Sequence, residues 1–521
     1  MGRFLFEKFD ARTSFWIIVI LSAFIAVVFQ GSRGLFETTE GRYAECAREM
    51  LIQGNFLVPT LDFQAHWTKP PLTYWAIGVG IALLGRNEWG VRAYLVVAFC
   101  LTVAALYSIA SLVWGKEVAP YCAIVYITSF FPAYAANAVS SDMLLSMWEA
   151  LAIWGFWAGI RSHKKSFFTL MWLFLGAAFL TKGPPALIPL FVLFPIYGLM
   201  RQKKWDVPSI FTISGILLFI TVGLGWYLYE AWLHPGLLSH WIKHEVAGHL
   251  VTNEYARNTH WYKAIFIYWP VLIFGALPWT GLLILKRKQI PWPGKDCLHA
   301  DYWGNRIEWS FVGLSIFLPL LIFSLSRSRL PLYILPLFIP LSLAIGQCLH
   351  GLVLNQKIEL YALKRFIFFA LIIIVAGKGV AANIHSPKDM RQLAGKITPE
   401  ISNFPHRHLY FVGDGLLYGL EFYLNSLLVR VSLAEPVRES TIPIHVLSEV
   451  LNKDCASGIV PFILVRNKDI PKLKGIIQAI GSQGRVDKGE EGITKNLFGE
   501  HEHQVKKLTD SWTLISWKGE D

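Results

Sequence analysis

Three stretches of this chain carry ionisable residues beside long apolar runs, and the residue types suggest acid–base work and the gripping of an anion. The first stretch holds Glu37-Thr-Thr-Glu40-Gly-Arg42-Tyr43-Ala-Glu45 and, further on, His66-Trp-Thr-Lys69-Pro-Pro71. Glu37 and Glu40 come to one side of a helix that starts early enough to include both, where a carboxylate can accept a proton or cap the positive helix end. Lys69 precedes two prolines that stiffen the turn into an apolar run, so its ammonium is held at the membrane edge. The second stretch comprises Asp142, Lys182, Arg327 and Arg329 at the ends of apolar segments. Charges there are costly and mark functional positions unless they reach lipid headgroups. The third is the segment from Ala231 to Trp261, with His234, His240, His244, Glu245, His249 and His260. His240 and His244 are four apart, as are Glu245 and His249, so each pair would share a helix face and could hold a divalent ion or cap an interfacial helix.

These residues need a membrane scaffold. A chain of 521 residues that is 54% hydrophobic and 16% charged, with mean hydropathy +0.44, does not pack as an ordinary soluble protein. Its 21 Trp, 19 Tyr and 35 Phe suit the headgroup level. The net charge of +12 comes from short basic clusters between apolar runs, and no basic arm or aromatic-basic platform suggests nucleic acid. Six scattered cysteines show neither metal nor disulfide spacing. The apolar run from Ser14 to Phe29 follows Arg3, Lys8 and Arg12 without a small-x-small cleavage site, and reads as an uncleaved first span.

Further apolar runs lie at 92–114, 118–137, 143–160, 166–181, 184–200, 208–230, 262–285, 309–325, 330–350 and 366–382. Leu72 to Leu84 is short for a span and suits a re-entrant or interfacial helix. The expected fold is an all-α polytopic membrane protein of about 11–13 transmembrane helices over residues 1–383. With the N-terminus inside, Arg161/Lys164/Lys165, Arg201/Lys203/Lys204, Lys286/Arg287/Lys288 and Lys357/Lys364/Arg365 all fall on the inner side. The loop 31–71, Asp142, Lys182, the 231–261 segment and Arg327/Arg329 then meet on the outer face. Residues 384–521 read as a small α/β domain on that face, with strands at Leu409–Val412, Leu427–Val431, Val460–Val465 and Trp512–Trp517 and helices at Ile444–Leu451 and Ile470–Ile480. Within the first loop, Tyr43, Ala44, Ala47, Met50 and Leu51 recur at helical spacing, which suggests an amphipathic interfacial helix capped by Thr39.

The order of short motifs carries a resemblance. Glu40-Gly-Arg-Tyr-Ala-Glu45, Ala47-Arg-Glu-Met-Leu51, Gly54-Asn-Phe-Leu-Val-Pro59 and Lys69-Pro-Pro-Leu-Thr-Tyr-Trp75 are followed by Ser140-Ser-Asp-Met-Leu-Leu145, Phe179-Leu-Thr-Lys-Gly-Pro184, Leu277-Pro-Trp279 and Ser326-Arg-Ser-Arg-Leu-Pro-Leu-Tyr-Ile-Leu-Pro336. This series resembles the GT-C type polyprenyl-phosphate glycosyltransferases of bacteria, close to the lipid A aminoarabinose transferases and more distantly to the protein O-mannosyltransferases. It covers residues 1–385.

The resemblance implies an inner-membrane enzyme, expected to be inverting. It would move a sugar, such as an amino sugar, from undecaprenyl phosphate to a periplasm-facing acceptor: lipid A, another envelope glycolipid or a protein. The C-terminal domain would then be periplasmic. Lys69, Arg42, Lys182, Arg327 and Arg329 would meet the donor phosphate, Lys69 and Arg329 first among them. Glu40, with Glu37 in reserve, would take the acceptor's proton, and Asp142 joins the catalytic candidates. Tyr43, Tyr74, Tyr333 and Glu245 would contact substrate. Thr39 stands where relatives carry an Asp before the Glu, and Thr68 stands where they can carry an acid before the lysine. No obligatory metal is therefore expected, and a divalent ion at His240, His244 and His249 is the alternative. A transporter or flippase of a lipid-linked sugar is the competing class, but it should show twofold repeats and interrupted helices, and none is visible. A polysaccharide ligase or polymerase using the same donors is harder to exclude.

Overall fold

The computed structural model describes residues 10–247, 258, 260–290, 306–413, 416–433, 441–443, 446–447, 450–451, 453–454, 457–473 and 503–517. The chain divides into a helical unit of residues 1–32, 54–59 and 66–383 and a sheet unit of residues 33–53, 60–65 and 384–521.

Among the described residues of the helical unit, seven helices are long and apolar enough to cross a membrane: Glu88–Trp114, Ser141–Ser162, Pro184–Gln202, Ile213–Leu233, Ile307–Leu325, Pro331–Leu354 and Leu360–Asn383. The pair Lys263–Gly275 and Trp279–Leu285, bent by 83°, makes up to eight. The apolar runs suggested about 11–13, and the difference has local causes. The run at 118–137 is two short helices, Ala119–Ile127 and Phe130–Ala135, parted where the Thr128 and Ser129 hydroxyls donate back to the carbonyls of Ile124 and Val125. Ala11–Val27 is short of full length, and Leu72–Leu84 keeps the 13 residues that set it apart in the sequence.

Ser141–Ser162 is the most enclosed span, with 83% of its apolar window buried. Its start is fixed by Ser140, whose hydroxyl accepts the Asp142 N–H at 3.2 Å. The next helix, Lys165–Lys182, runs back beside it and stops at Gly183, whose φ of +76° a residue with a side chain resists, before two prolines. It approaches the π-turn Phe219–Leu224 closely: a Cβ on Gly223 would lie 3.0 Å from the Gly176 Cα.

In the sheet unit a hairpin, β1 Thr60–Leu61 and β2 Gln64–Ala65, precedes a six-stranded sheet. Its strands are β3 Arg407–Val412, β4 Leu428–Ser432, β5 Thr441–Pro443, β6 Val460–Arg466, β7 His503–Lys507 and β8 Trp512–Trp517, in the order β5-β4-β3-β6-β8-β7. The first four pair in parallel and the last two antiparallel. Alternation along β3 sends Leu409 and Phe411 into one core and Tyr410 and Val412 into the other, so both faces of the sheet are covered. The helices expected at 444–451 and 470–480 fall largely outside the described residues.

The helix Thr39–Gln53 belongs to this unit and corrects one expectation. Its apolar side is buried as the periodicity suggests, but Glu40, Glu45, Arg48 and Glu49 are buried too, so the helix has no solvated polar face of the kind an interfacial helix needs. The polar side is satisfied internally: Arg48 forks onto Glu45 at 2.5 and 2.7 Å and reaches Asn425, and Glu49 accepts the Phe63 N–H. Thr39 is the first helical residue and not the cap.

Candidate active site

Of the residues singled out in the sequence, the structure brings Asp142, Lys182 and Tyr333 together. The Lys182 ammonium donates to the Asp142 carboxylate, with both side chains more than nine-tenths buried, and lies 4.4 Å from the centre of the Tyr333 ring. The ion pair joins the start of one helix to the end of the next, a place where each charge opposes the local helix dipole. Above Asp142, the Tyr94 hydroxyl donates to the Ser140 carbonyl at 2.7 Å and accepts the Ser140 N–H at 3.1 Å, which fixes the capping residue. Tyr94 gives no signal in the sequence beyond being a polar tip in an apolar run.

Lys69 is half-buried in a loop pinned by tryptophans. The indole N–H of Trp75 donates to Phe56 O at 2.6 Å, that of Trp226 to Leu57 O at 2.8 Å, and that of Trp241 to Trp67 O at 3.0 Å. Trp67, Trp226 and Trp241 pack with Leu180, two residues before Lys182, so the Lys69 loop and the end of the Lys182 helix share one aromatic cluster. Tyr74 is buried at the start of Leu72–Leu84.

The two arginines differ. Arg327 is exposed, whereas Arg329 is buried and donates to backbone carbonyls: Nε and Nη2 to Ser324, Nη1 to Asn258 and His260. That guanidinium ties two chain segments together.

Glu40, Glu37, Arg42 and Tyr43 lie in the sheet unit. Glu40 is buried, takes a two-pronged contact from Arg33 at 2.5 and 2.8 Å, and accepts the Phe36 N–H at 3.0 Å. Glu37 accepts the N–H groups of Gly419 and Leu420 in the first turn of Tyr418–Leu424; burial raises its pKa to about 7 even though these donors pull it down. Burial likewise lifts Glu45 to about 7, against the pull of Arg48, and pushes Glu421 well above the carboxylate range, with Asp62 and Glu45 adding to it. Tyr43 is buried, and the Arg42 guanidinium lies 5.8 Å from its ring centre.

The His240 and His244 rings lie 4.6 Å apart, sharing a face as their spacing suggests. Glu245 is in the same π-helical turn, with its side chain outside the description, and His249 lies outside the described residues. Among the described residues no three His, Cys, Asp or Glu side chains gather as metal ligands. Thr68 holds the His66 ring through its hydroxyl at 2.6 Å.

The arrangement defines a multi-pass membrane protein with the GT-C fold. The chain is related to the aminoarabinose transferases: it is 31% identical over 327 residues to the undecaprenyl phosphate-alpha-4-amino-4-deoxy-L-arabinose arabinosyl transferase 2 of Pseudomonas fluorescens, covering 61% of this chain and 56% of that one. The corresponding transferase of Edwardsiella ictaluri is 30% identical over 338 residues, covering 63% and 58%. The matched stretch thus spans less than two thirds of these relatives. Residues 68–226 match the family described as dolichyl-phosphate-mannose-protein mannosyltransferase. The crystal structure of ArnT from Cupriavidus metallidurans bound to undecaprenyl phosphate superposes with a TM-score of 0.73 at 17% identity, covering 96% of this chain and 97% of that one.

Proposed function

We propose that this protein is a polyprenyl-phosphate-dependent glycosyltransferase of the bacterial inner membrane. It moves a sugar, of the amino-pentose class that its relatives' names carry, from undecaprenyl phosphate to a periplasm-facing acceptor such as lipid A. The observation that carries the reading is the buried Asp142–Lys182 pair under the Tyr333 ring, at the end of the most enclosed span. Ionisable residues inside an apolar bundle are costly, pair with one another as these two do, and mark substrate paths by default.

In the proposed reaction the acceptor oxygen attacks the anomeric carbon from the side opposite the phosphate, so the configuration inverts. The bond from that carbon to the phosphate oxygen breaks, and its electron pair leaves on the polyprenyl phosphate. Lys69 and Lys182 meet the charge that builds there, with Arg327 at the rim. Asp142 orients Lys182. Arg329 supports the site by holding the 258–260 segment. The basic clusters at Arg161/Lys164/Lys165 and Arg201/Lys203/Lys204 favour a periplasmic placement of the Asp142 end.

The test is transfer in membranes supplied with an undecaprenyl-phosphate amino sugar, with modified lipid A read by mass spectrometry. Wild type transfers, and Lys69→Ala and Lys182→Ala lose at least about 100-fold. Donor that changes leaflet with no modified acceptor would replace this reading with transport.

A further inference from the structure

Both acids of the first loop are committed within the sheet unit, Glu40 to Arg33 and Glu37 to the N–H groups of Gly419 and Leu420. In the helical unit a different acid–base pair stands beside the Lys69 loop. Glu230 and His234 are one helical turn apart at the end of Gly225–Leu233, with His234 Nε2 3.5 Å from Glu230 Oε2. The Glu230 side chain is 0% exposed, and among the described residues neither of its oxygens has a hydrogen bond; the His234 side chain is 48% exposed. The imidazole lies 5.1 Å from the ring of Trp67, two residues before Lys69, and Trp67 packs in the cluster that contains Leu180, two residues before Lys182.

A buried carboxylate facing one imidazole nitrogen favours the tautomer with the proton on that nitrogen and leaves the other to accept a proton; it then stabilises the imidazolium that forms. The i,i+4 spacing of Glu230 and His234 is the sequence signal for the pair.

We propose that His234 is the general base of the transfer, with Glu230 as its positioning residue, and that the acceptor oxygen still carries a proton, as a hydroxyl or a singly ionised phosphate does. This rests on the reading of the Lys69–Lys182 end as the donor site. The acceptor O–H bond breaks and its proton passes to Nδ1 of His234, while the oxygen forms its bond to the anomeric carbon. The bond from that carbon to the phosphate breaks, its electron pair leaving with the polyprenyl phosphate. The imidazolium returns its proton to water after the product departs.

The experiment uses the full chain in membranes, with an undecaprenyl-phosphate amino sugar as donor, lipid A as acceptor, and a separate measurement of undecaprenyl phosphate binding. His234→Ala is expected to lower kcat at least about 100-fold, with donor binding and donor KM unchanged, and added imidazole restores part of the rate. Glu230→Gln lowers kcat about tenfold and Glu230→Asp recovers most of it. Mild acid separates the two acceptor types, since a sugar joined through phosphate is released and one joined through a hydroxyl is not. A His234→Ala variant that transfers within about threefold of wild type overturns the proposal while leaving the donor site standing. Loss of donor binding in that variant, without imidazole rescue, also overturns it, because the role is then structural. A wild type that binds no donor removes the reading on which it rests.

Discussion

At the scale of single residues, the ion pair and the buried arginine each predict a loss of stability, by different causes. Lys182→Ala leaves the Asp142 carboxylate buried without its cation, a loss of about 3–5 kcal/mol, and the double variant with Asp142→Ala should recover part of it. A double-variant cycle of melting temperatures in detergent measures the coupling, and strict additivity would show that the pair contributes nothing. Arg329→Lys should lower stability by at least about 2 kcal/mol, because one ammonium cannot reach the three carbonyls that the guanidinium serves, and an unchanged melting curve would count against that role. Lys69 was singled out by its two prolines, and Lys182 and Asp142 by their cost in an apolar slab; that the last two pair with each other is what the structure adds. Arg329 was picked out, but its carbonyl partners were not legible, because which backbone lies within reach of a guanidinium is a property of the fold and leaves no residue pattern. The same holds for Glu40, whose partner Arg33 lies in the irregular segment before the helix begins at Thr39, so no helical spacing relates the two.

At the scale of elements, β3, β4, β6 and β8 were readable to within a residue or two at each end, because strands covered on both faces leave short unbroken apolar runs, whereas the short β5 and the polar β7 left no such run. The helix Thr39–Gln53 was readable as a helix but not as a buried one, since a polar face looks the same whether water or Asn425 receives it. That burial has a pH signature. Glu37 and Glu45 ordinarily titrate near 4.5 but hold their protons to about 7 in the folded unit, so folding takes up protons between those values. Stability of the sheet unit should therefore fall as pH rises from about 4.5 to 7 and level off above. Hydrogen exchange of the β3, β4 and β6 amides in the intact protein at pH 5 and 7.5 reads this, and protection that grows with pH would refute it. Glu37→Gln and Glu45→Gln should each flatten the dependence. In the helical unit, Gly223→Val should cost about 1–3 kcal/mol by pushing the π-turn off Gly176, measurable as a lower melting temperature.

At the scale of the whole chain, hydropathy revealed a polytopic protein and a C-terminal sheet domain. Among the described residues seven helices, or eight with the pair bent by 83°, pass as spans by length and composition, while the first run folds as the shorter helix Ala11–Val27 and the run at 118–137 as two helices parted by hydroxyls bonding back to carbonyls. Orientation is open to direct measurement: single cysteines at Lys164 and Lys388 should react with a membrane-impermeant thiol reagent from the cytoplasmic and the opposite side of sealed vesicles respectively; exchange of the two sides would invert the topology, and labelling of both from one side would refute their opposite placement. The division of the sheet unit along the sequence bears on how the protein is made. Residues 33–53 leave the ribosome long before β3, so the helix with its interior carboxylates has no partner while the spans are being inserted. A chain truncated before residue 384 lacks the helix Tyr418–Leu424 and the sheet of the same unit, so protease should cut it within 33–53 at a concentration that leaves the full chain intact there.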